Sequence, residues 1–415
     1  MGNSETKVAI IGAGISGLTA AIRLEQEGFQ TTLIDQNAHV GGRVVTDVQG
    51  NYILDRGFQV LLTSYPEARK HLNYDTLDLV YFHPGARVYK GGKSFLLGDA
   101  LRKPQFLFST LFFPFGSPKD KWKVFQLNTS LRSKSIEDIF SSPEKTTLEY
   151  LREKGFSRKI IEHFFKPFYG GIFLEPELET SSRMFEFVFK MFGEGHAALP
   201  LKGIQQVPDQ LKEQLKNTEI KLTCRVEKQE GNTLTWIDAA GDSFQAAFDK
   251  VIYAGTTQEQ LNGHGYDESQ QWHSCNNVYF EYLEGNLQER LIGLIADPNA
   301  LINNIHLVPN PQGGASKLLS VTLLKFPEVA SATQAEAIRS ELRRLCGIEA
   351  GKLIAHYVVK KALPVMEEFR YQLPTEAYVV NDQQLIAGDY LLYPSLNAAM
   401  HSGTAAAEAC IQSAG

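Results

Sequence analysis

An α/β fold is predicted for this 415-residue chain, and three observations near its start predict it. Residues 8–11 form a short unbroken apolar run, as expected of a strand buried on both faces of a parallel sheet. A glycine-rich turn follows at once, Gly12-Ala13-Gly14-Ile15-Ser16-Gly17. Behind it come a helical pattern and a second apolar, β-branched run at residues 31–34, which completes a β-α-β unit.

Within that unit, Leu18, Ala21, Ile22 and Leu24 recur at helical spacing, and Gly28 closes the helix. Gly12 allows the tight turn from strand to helix, and Gly14 lets a pyrophosphate approach the backbone. Gly17 lets the helix pack close to the strand. Ile15 and Ser16 lie between these glycines at the helix N-terminus, where free N–H groups and the helix dipole favour an anion. Asp35 ends the second strand 18 residues past Gly17, a spacing suited to a carboxylate that accepts hydrogen bonds from an adenosine ribose. The unit is therefore a Rossmann-type dinucleotide site. Its residues alone do not separate FAD from NAD.

Further along, glycine and charge recur in stretches that, taken alone, also read as an ordinary turn, a loop and a strand-loop-helix. His39-Val40-Gly41-Gly42-Arg43 follows the second strand, so that backbone and a guanidinium can reach the cofactor phosphates. Leu54-Asp55-Arg56-Gly57-Phe58-Gln59 is a second glycine turn carrying charge. Near the C-terminus an apolar run at residues 385–387 leads to Gly388-Asp389 and then, through Ser395 and Leu396, to a small-residue helix around residues 404–408. A strand end, a Gly-Asp and a helix N-terminus make another nest of backbone N–H groups.

These three pieces, in this order, resemble the superfamily of flavin amine oxidases, protoporphyrinogen oxidases and phytoene-type desaturases. The resemblance implies FAD as cofactor. It assigns the ADP half to Gly12, Gly14, Ile15, Ser16, Gly17 and Asp35, and the pyrophosphate and flavin to Gly41, Gly42 and Arg43. Gly388 and Asp389 would meet the ribityl-phosphate region, the helix that follows would point its N-terminus at the flavin ring, and Leu396 is counted among the cofactor-binding residues. Val226 matches the family's valine on the adenine side. Residues 251–254 resemble the strand that returns to the nucleotide sheet. Lys361, in Lys361-Ala362-Leu363-Pro364, resembles a segment that passes the flavin; Gln59 stands where desaturase-like relatives often have a histidine nearby. Both are flavin-face candidates, with an exposed lysine before a turn as the plainer reading of Lys361. The chain departs from the family at Tyr393-Pro394-Ser395-Leu396-Asn397, where many relatives carry a glycine and an acidic residue; this leaves the subfamily open.

The expected architecture is a Rossmann-type FAD-binding domain interleaved with an α+β substrate domain, a mixed sheet covered by helices. Residues 1–75, 201–264 and 373–415 are assigned to the first, and 76–200 and 265–372 to the second. A hairpin is predicted over residues 81–97 around Gly91-Gly92. Strands are predicted near 278–282, 305–308, 318–324 and 353–359. A helix at 334–345 would be capped by Thr333 and Glu336.

Residues 160–192 are the most aromatic stretch, with Phe168, Tyr169, Phe185 and Phe189 as candidates for an apolar substrate pocket, against the alternative of a fully buried helix. Residues 106–115, from Phe106 to Phe115, form a second apolar cluster with Lys103 before it and Lys119, Lys121 and Lys123 after. It is assigned to the core or cavity in preference to the other candidate, peripheral contact with the inner face of a membrane.

A formal net charge of −6 gives no basic excess to hold nucleic acid through its phosphates. Four dispersed cysteines without a C-x-x-C pair predict a reduced, cytoplasmic setting. No histidine pair has metal-ligand spacing, so no metal is expected. The function expected from the resemblance is FAD-dependent removal of a hydride from a small hydrophobic substrate (an amine, a porphyrinogen-like ring or a polyene), with reoxidation by oxygen or a quinone. A flavin-dependent isomerase and a non-catalytic FAD-binding protein stay open beside it.

Overall fold

The computed structural model describes residues 5–99, 102–255, 270–324 and 332–414. Five strands form an all-parallel sheet in the order Glu219–Lys221, Gln30–Ile34, Lys7–Ile11, Lys250–Tyr253, Gln384–Ile386. Three distant stretches of the chain thus supply one sheet. The boundary placed between residues 264 and 265 lies outside the described residues.

The helix Ile15–Gln26 crosses from the central strand to its neighbour and buries nearly all of its apolar side chains. It ends as its sequence predicts. The Gly28 N–H donates to Glu25 O and the Phe29 N–H to Leu24 O, so a left-handed Gly28 (φ +83°) closes a Schellman motif. The C-terminal helix, Leu396–Ala414, packs across it. At the crossing an added Cβ on Gly403 would overlap Ser16 O and Thr19 Oγ1, and the Thr19 hydroxyl donates to Met400 O at 3.2 Å. Only a residue without a side chain lets the two backbones come this close.

The second layer is a seven-stranded sheet in the order Glu349–Pro364, Trp272–Glu284, Leu318–Leu323, Ile302–Leu307, Ile292–Ile295, Gly85–Lys90, Lys93–Gly98. It is antiparallel except where Ile292–Ile295 runs parallel to Gly85–Lys90. The predicted hairpin turns at Gly91-Gly92, both with positive φ, but Tyr81 ends a separate strand, Leu79–Tyr81, in a small three-stranded sheet. Another three-stranded antiparallel sheet (Arg225–Glu230, Thr233–Ile237, Ser243–Ala247) covers the nucleotide side.

Two predicted helix starts differ. The helix Ala332–Glu341 begins before Thr333, which therefore lies in its first turn and does not cap it. The C-terminal helix begins at Leu396 because Ser395 Oγ accepts from the Ala398 N–H at 3.0 Å; the cap lies well upstream of the alanine run that stands out in the sequence.

Helices between residues 104 and 194 cover the large sheet. Phe165, Phe185 and Phe187, all solvent-inaccessible, anchor the main core there. The core assignment of residues 106–115 holds for Phe106 and Phe113, which are buried. It fails for Leu107, Phe108, Leu111 and Phe112, which are exposed: the helix formed is only Leu107–Leu111, none of its residues is buried, and the two buried phenylalanines lie on either side of it. Among the described residues no helix is long and apolar enough to cross a membrane, no group of three or more His, Cys, Asp or Glu could hold a metal ion, and all four cysteines are free and buried.

Candidate active site and cofactor cleft

A cavity of about 910 Å³ lies between the parallel sheet and the large sheet, near the upper end of the range for small-molecule sites. Gly12, Gly14, Ile15, Ser16, Asp35 and Val226 line one part of it. Gly17 does not. An added Cβ there would overlap Gly12 O, so its part is the close packing of helix on strand.

Gly14 is the N-cap of the first helix and brings no side-chain hydrogen bond to the helix N–H groups, which stay available to an anion. A Cβ at Gly14 would meet nothing nearer than Gly42 Cα at 3.9 Å, so the turn is open to the cavity. Asp35 is held in place by its neighbours: Oδ2 accepts from the Ala13 N–H at 2.6 Å and Oδ1 from the Asn37 N–H at 2.8 Å. Oδ1 also accepts from Asn37 Nδ2 at 2.9 Å, and the carboxylate lies on the cavity wall, a fitting position for an acceptor of ribose hydroxyls.

Gly41, Gly42 and Arg43 lie along the same cleft. The Gly41 N–H donates to Ala13 O at 2.8 Å, laying this segment against the glycine turn. Gly41 has φ +114°, and a side chain there would strike Val44 O and, at 2.8 Å, Pro208 Cγ. Arg43 then joins three parts of the chain. Its guanidinium donates to Ala362 O at 2.8 Å, pairs with Asp389 Oδ1 at 2.5 Å, and lies 5.4 Å from the centre of the Trp272 ring. The Asp389 carboxylate is thus committed to Arg43, which leaves the backbone of Gly388 and Asp389 to face the cavity. Ser395 and Leu396 bring the start of the C-terminal helix to the same wall. An open glycine turn, uncapped helix N–H groups, a carboxylate on the cavity wall and a guanidinium along the cleft fit the two phosphates and ribose of FAD.

The apolar part of the cavity is lined by Phe58, Phe168, Ile172, Phe192, Ile292 and Leu294. Four of the candidates named from the sequence need correction: Tyr169, Phe185, Phe189 and Lys361. Tyr169, Phe185 and Phe189 do not line the cavity; Tyr169 and Phe185 pack on each other at 4.6 Å, with Phe189 at 5.8 Å from Phe185. On the helix Lys166–Phe173 the cavity face is Phe168 and Ile172; on Ser182–Glu194 it is Met184, Val188 and Phe192. Each missed candidate is one position round its helix from that face, about 100° away. Lys361 is exposed and outside the cavity; its neighbours Ala362 and Leu363 line it. Gln59 does line the cavity, but its Nε2 donates to Arg43 O at 2.8 Å and Arg56 O at 3.2 Å, so its amide holds the backbone in position.

Several polar residues on the large sheet carry no mark in the sequence: His273, Cys275, Asn304 and Thr322 reach the cavity. Burial pushes the Cys275 thiol up to about 11 and the His273 imidazole down, the latter opposed by the charge of Glu175, so both are neutral at pH 7. Asn304 is buried, and its Oδ1 has no hydrogen-bond partner within the chain. Behind the wall, His306 stacks on Phe58 at 4.1 Å, and burial pushes it down to about 3. The signal for this group was the alternation along the strands, with small polar residues at inward positions, which looks like ordinary sheet patterning until the sheet's partner is known.

Fold and cleft together define a dinucleotide-binding protein whose cleft continues into an apolar chamber. The model of the flavin containing amine oxidoreductase family matches residues 15–411; the chain belongs to that family, and its cofactor is FAD. Protoporphyrinogen oxidase 2 of Arabidopsis thaliana is 24% identical over 170 residues, 40% of this chain and 32% of that protein. The 4,4'-diaponeurosporene oxygenase of Staphylococcus haemolyticus is 42% identical over 62 residues, 15% of this chain and 12% of that protein. The chain thus matches a third or less of the length of these two relatives. An oxidoreductase from Methanosarcina mazei shares the fold, with a TM-score of 0.71 at 16% identity over 97% of this chain and 100% of that one.

Proposed function

We propose that this protein oxidises a small hydrophobic substrate by taking a hydride from one of its C–H bonds, within the chamber lined by Phe58, Phe168, Ile172, Phe192, Ile292 and Leu294. The observation that carries the reading is the continuity of the cavity: the nucleotide cleft and the apolar chamber are one space, lined by the glycine turn and Asp35 and by the apolar wall alike. When bound, FAD supplies the two-electron acceptor, and oxygen or a quinone takes the electrons onward.

The chain's own residues do the rest. The aromatic and aliphatic wall desolvates the substrate and excludes water. Asn304, with an unpartnered buried carbonyl oxygen, offers one acceptor to orient a substrate N–H or O–H. Arg43, tied to Ala362 and Asp389, keeps the cofactor segment in register with the chamber. Neutral His273 and Cys275 put no fixed charge beside an apolar substrate. The family's amines, the porphyrinogens of the Arabidopsis thaliana relative and the polyenes of the Staphylococcus haemolyticus relative set the substrate classes to examine.

The test is anaerobic addition of each class to the FAD-loaded protein while the visible flavin bands are followed. Bleaching by one class alone supports the reading and selects the substrate. Turnover that appears only after the flavin has first been reduced, with no net electron transfer, would replace it with isomerase chemistry.

A further inference from the structure

A patch of large apolar side chains faces solvent on one side of the molecule. Leu107, Phe108, Leu111 and Phe112 are 53%, 72%, 58% and 76% exposed, and Trp122 and Phe125 on the next helix are 59% and 44% exposed. The two helices are joined at this surface: Lys121 Nζ donates to Leu111 O at 2.5 Å, and the rings of Trp122 and Phe125 stack at 5.4 Å. Single exposed leucines are common on soluble proteins, but six large apolar side chains on two joined segments mark an interaction surface.

The charge around the patch says what kind of surface it meets. Residues 102–134 carry seven basic side chains (Arg102, Lys103, Lys119, Lys121, Lys123, Arg132 and Lys134) and one acidic, Asp120. That acid is buried in the capping box of helix Pro118–Ser133. This segment is net +6 in a chain whose formal net charge is −6. A second copy of the same patch would set lysine against lysine. An anionic bilayer answers both features, with phosphates for the basic rim and acyl chains for the phenylalanines.

We propose that residues 102–125 dock the protein onto an anionic lipid surface, with Phe108 and Phe112 inserted at the interface and Lys119 and Lys123 at the headgroups. The position of the patch gives the docking a use. Phe113, directly after Phe112, is buried in a small core with Leu294, against which Phe168 and Ile292 pack; these last three line the chamber. At the other edge Arg102 donates to the carbonyl of Phe192, which also lines the chamber. A docked molecule would hold its substrate chamber next to the membrane.

Flotation of the FAD-loaded protein with vesicles tests this. Binding to equimolar phosphatidylglycerol and phosphatidylcholine, well above binding to phosphatidylcholine alone, is expected. The double variant Phe108→Ser with Phe112→Ser should bind on the order of 100-fold more weakly, since two buried phenyl groups are lost. Lys119→Glu with Lys123→Glu should lower the preference for anionic vesicles at least about tenfold; unchanged flavin absorbance and melting temperature show that each variant is folded. Wild-type protein that floats with neither vesicle overturns the proposal, as does a Phe108→Ser, Phe112→Ser variant that binds as well as wild type. A wild-type dimer in sedimentation velocity that this variant turns into monomers overturns it too, in favour of self-association. None of these readings depends on which substrate the flavin oxidises.

Discussion

Arg43 is where three parts of the chain meet, and single-residue effects are sharpest there. Its guanidinium is about 30% exposed, whereas the Asp389 side chain is 4% exposed, so Asp389→Ala leaves a partly buried cation without its anion. Hydrogen bonds to charged groups are worth about 2 kcal/mol, which corresponds to roughly 30-fold in affinity. Fluorescence titration of the apoprotein with FAD should show that loss; a dissociation constant within about twofold of wild type would show that the pair does not organise the cleft. His306 sets a pH dependence. Burial holds its folded-state pKa down, at about 3, while the unfolded chain protonates near 6.5. Between these values the unfolded state binds the extra proton, so this contribution to stability is complete above pH 6.5 and is lost as pH falls toward 3. The slope is about 1.4 kcal/mol per pH unit in mid-window. Urea unfolding at pH 4 and pH 7 should show a smaller acid loss for His306→Gln than for wild type; equal losses would remove His306 from the account.

At the scale of the element, the crossing of the first and last helices decides whether the cleft exists. Gly17 and Gly403 are both sites where an added Cβ would overlap backbone oxygen. Gly403→Leu must push the C-terminal helix away from Ser16 and Thr19, and with it the Ser395–Leu396 wall of the cofactor cleft. Overpacking of this kind costs about 1–3 kcal/mol or more. The variant is expected to melt several degrees lower and to purify with little flavin; full flavin content at an unchanged melting temperature would contradict the packing argument. The role of Gly17 was legible from the sequence because a local turn demands it. Gly403 lies far along the chain from Ser16, in a run of alanines and serines where nothing local marks it.

For the molecule as a whole, the prediction concerns the chamber between the layers. Ile172 lies on its wall, on the same helix as Phe168. Ile172→Trp fills space without touching the glycine cleft, so flavin content should stay at the wild-type level while the rate of anaerobic flavin reduction by substrate falls about tenfold, as a lost near-attack geometry allows. Loss of flavin instead would mean that chamber and cleft are not separable. Lys361→Ala, at an exposed position outside the cavity, should leave reduction unchanged; a strong effect would restore the flavin-face role that the sequence suggested.

The cofactor half could be found in the sequence because its chemistry is local. The Gly12–Gly17 turn, Asp35, Gly41 to Arg43 and Gly388-Asp389 each sit in a loop next to a strand end, where a few neighbouring residues dictate the backbone. The substrate half could not. Whether Phe168 or Tyr169, and Phe185 or Val188, faces the chamber depends on how each helix is rotated against its neighbours. The helix Ser182–Glu194 does carry a polar stripe, Arg183, Glu186, Lys190 and Glu194. Glu186 and Lys190, however, are buried in ion pairs with Lys134 and Glu194, so the stripe marks no solvent face and leaves core and chamber faces alike in sequence. Likewise the apolar stretch 106–115 reads the same in a core and on a surface; its partition depends on where the chain leaves the short helix Leu107–Leu111, since Phe113, past the helix end, enters a small core with Ala86, Val88 and Leu294 of the large sheet while Phe112 stays in solvent.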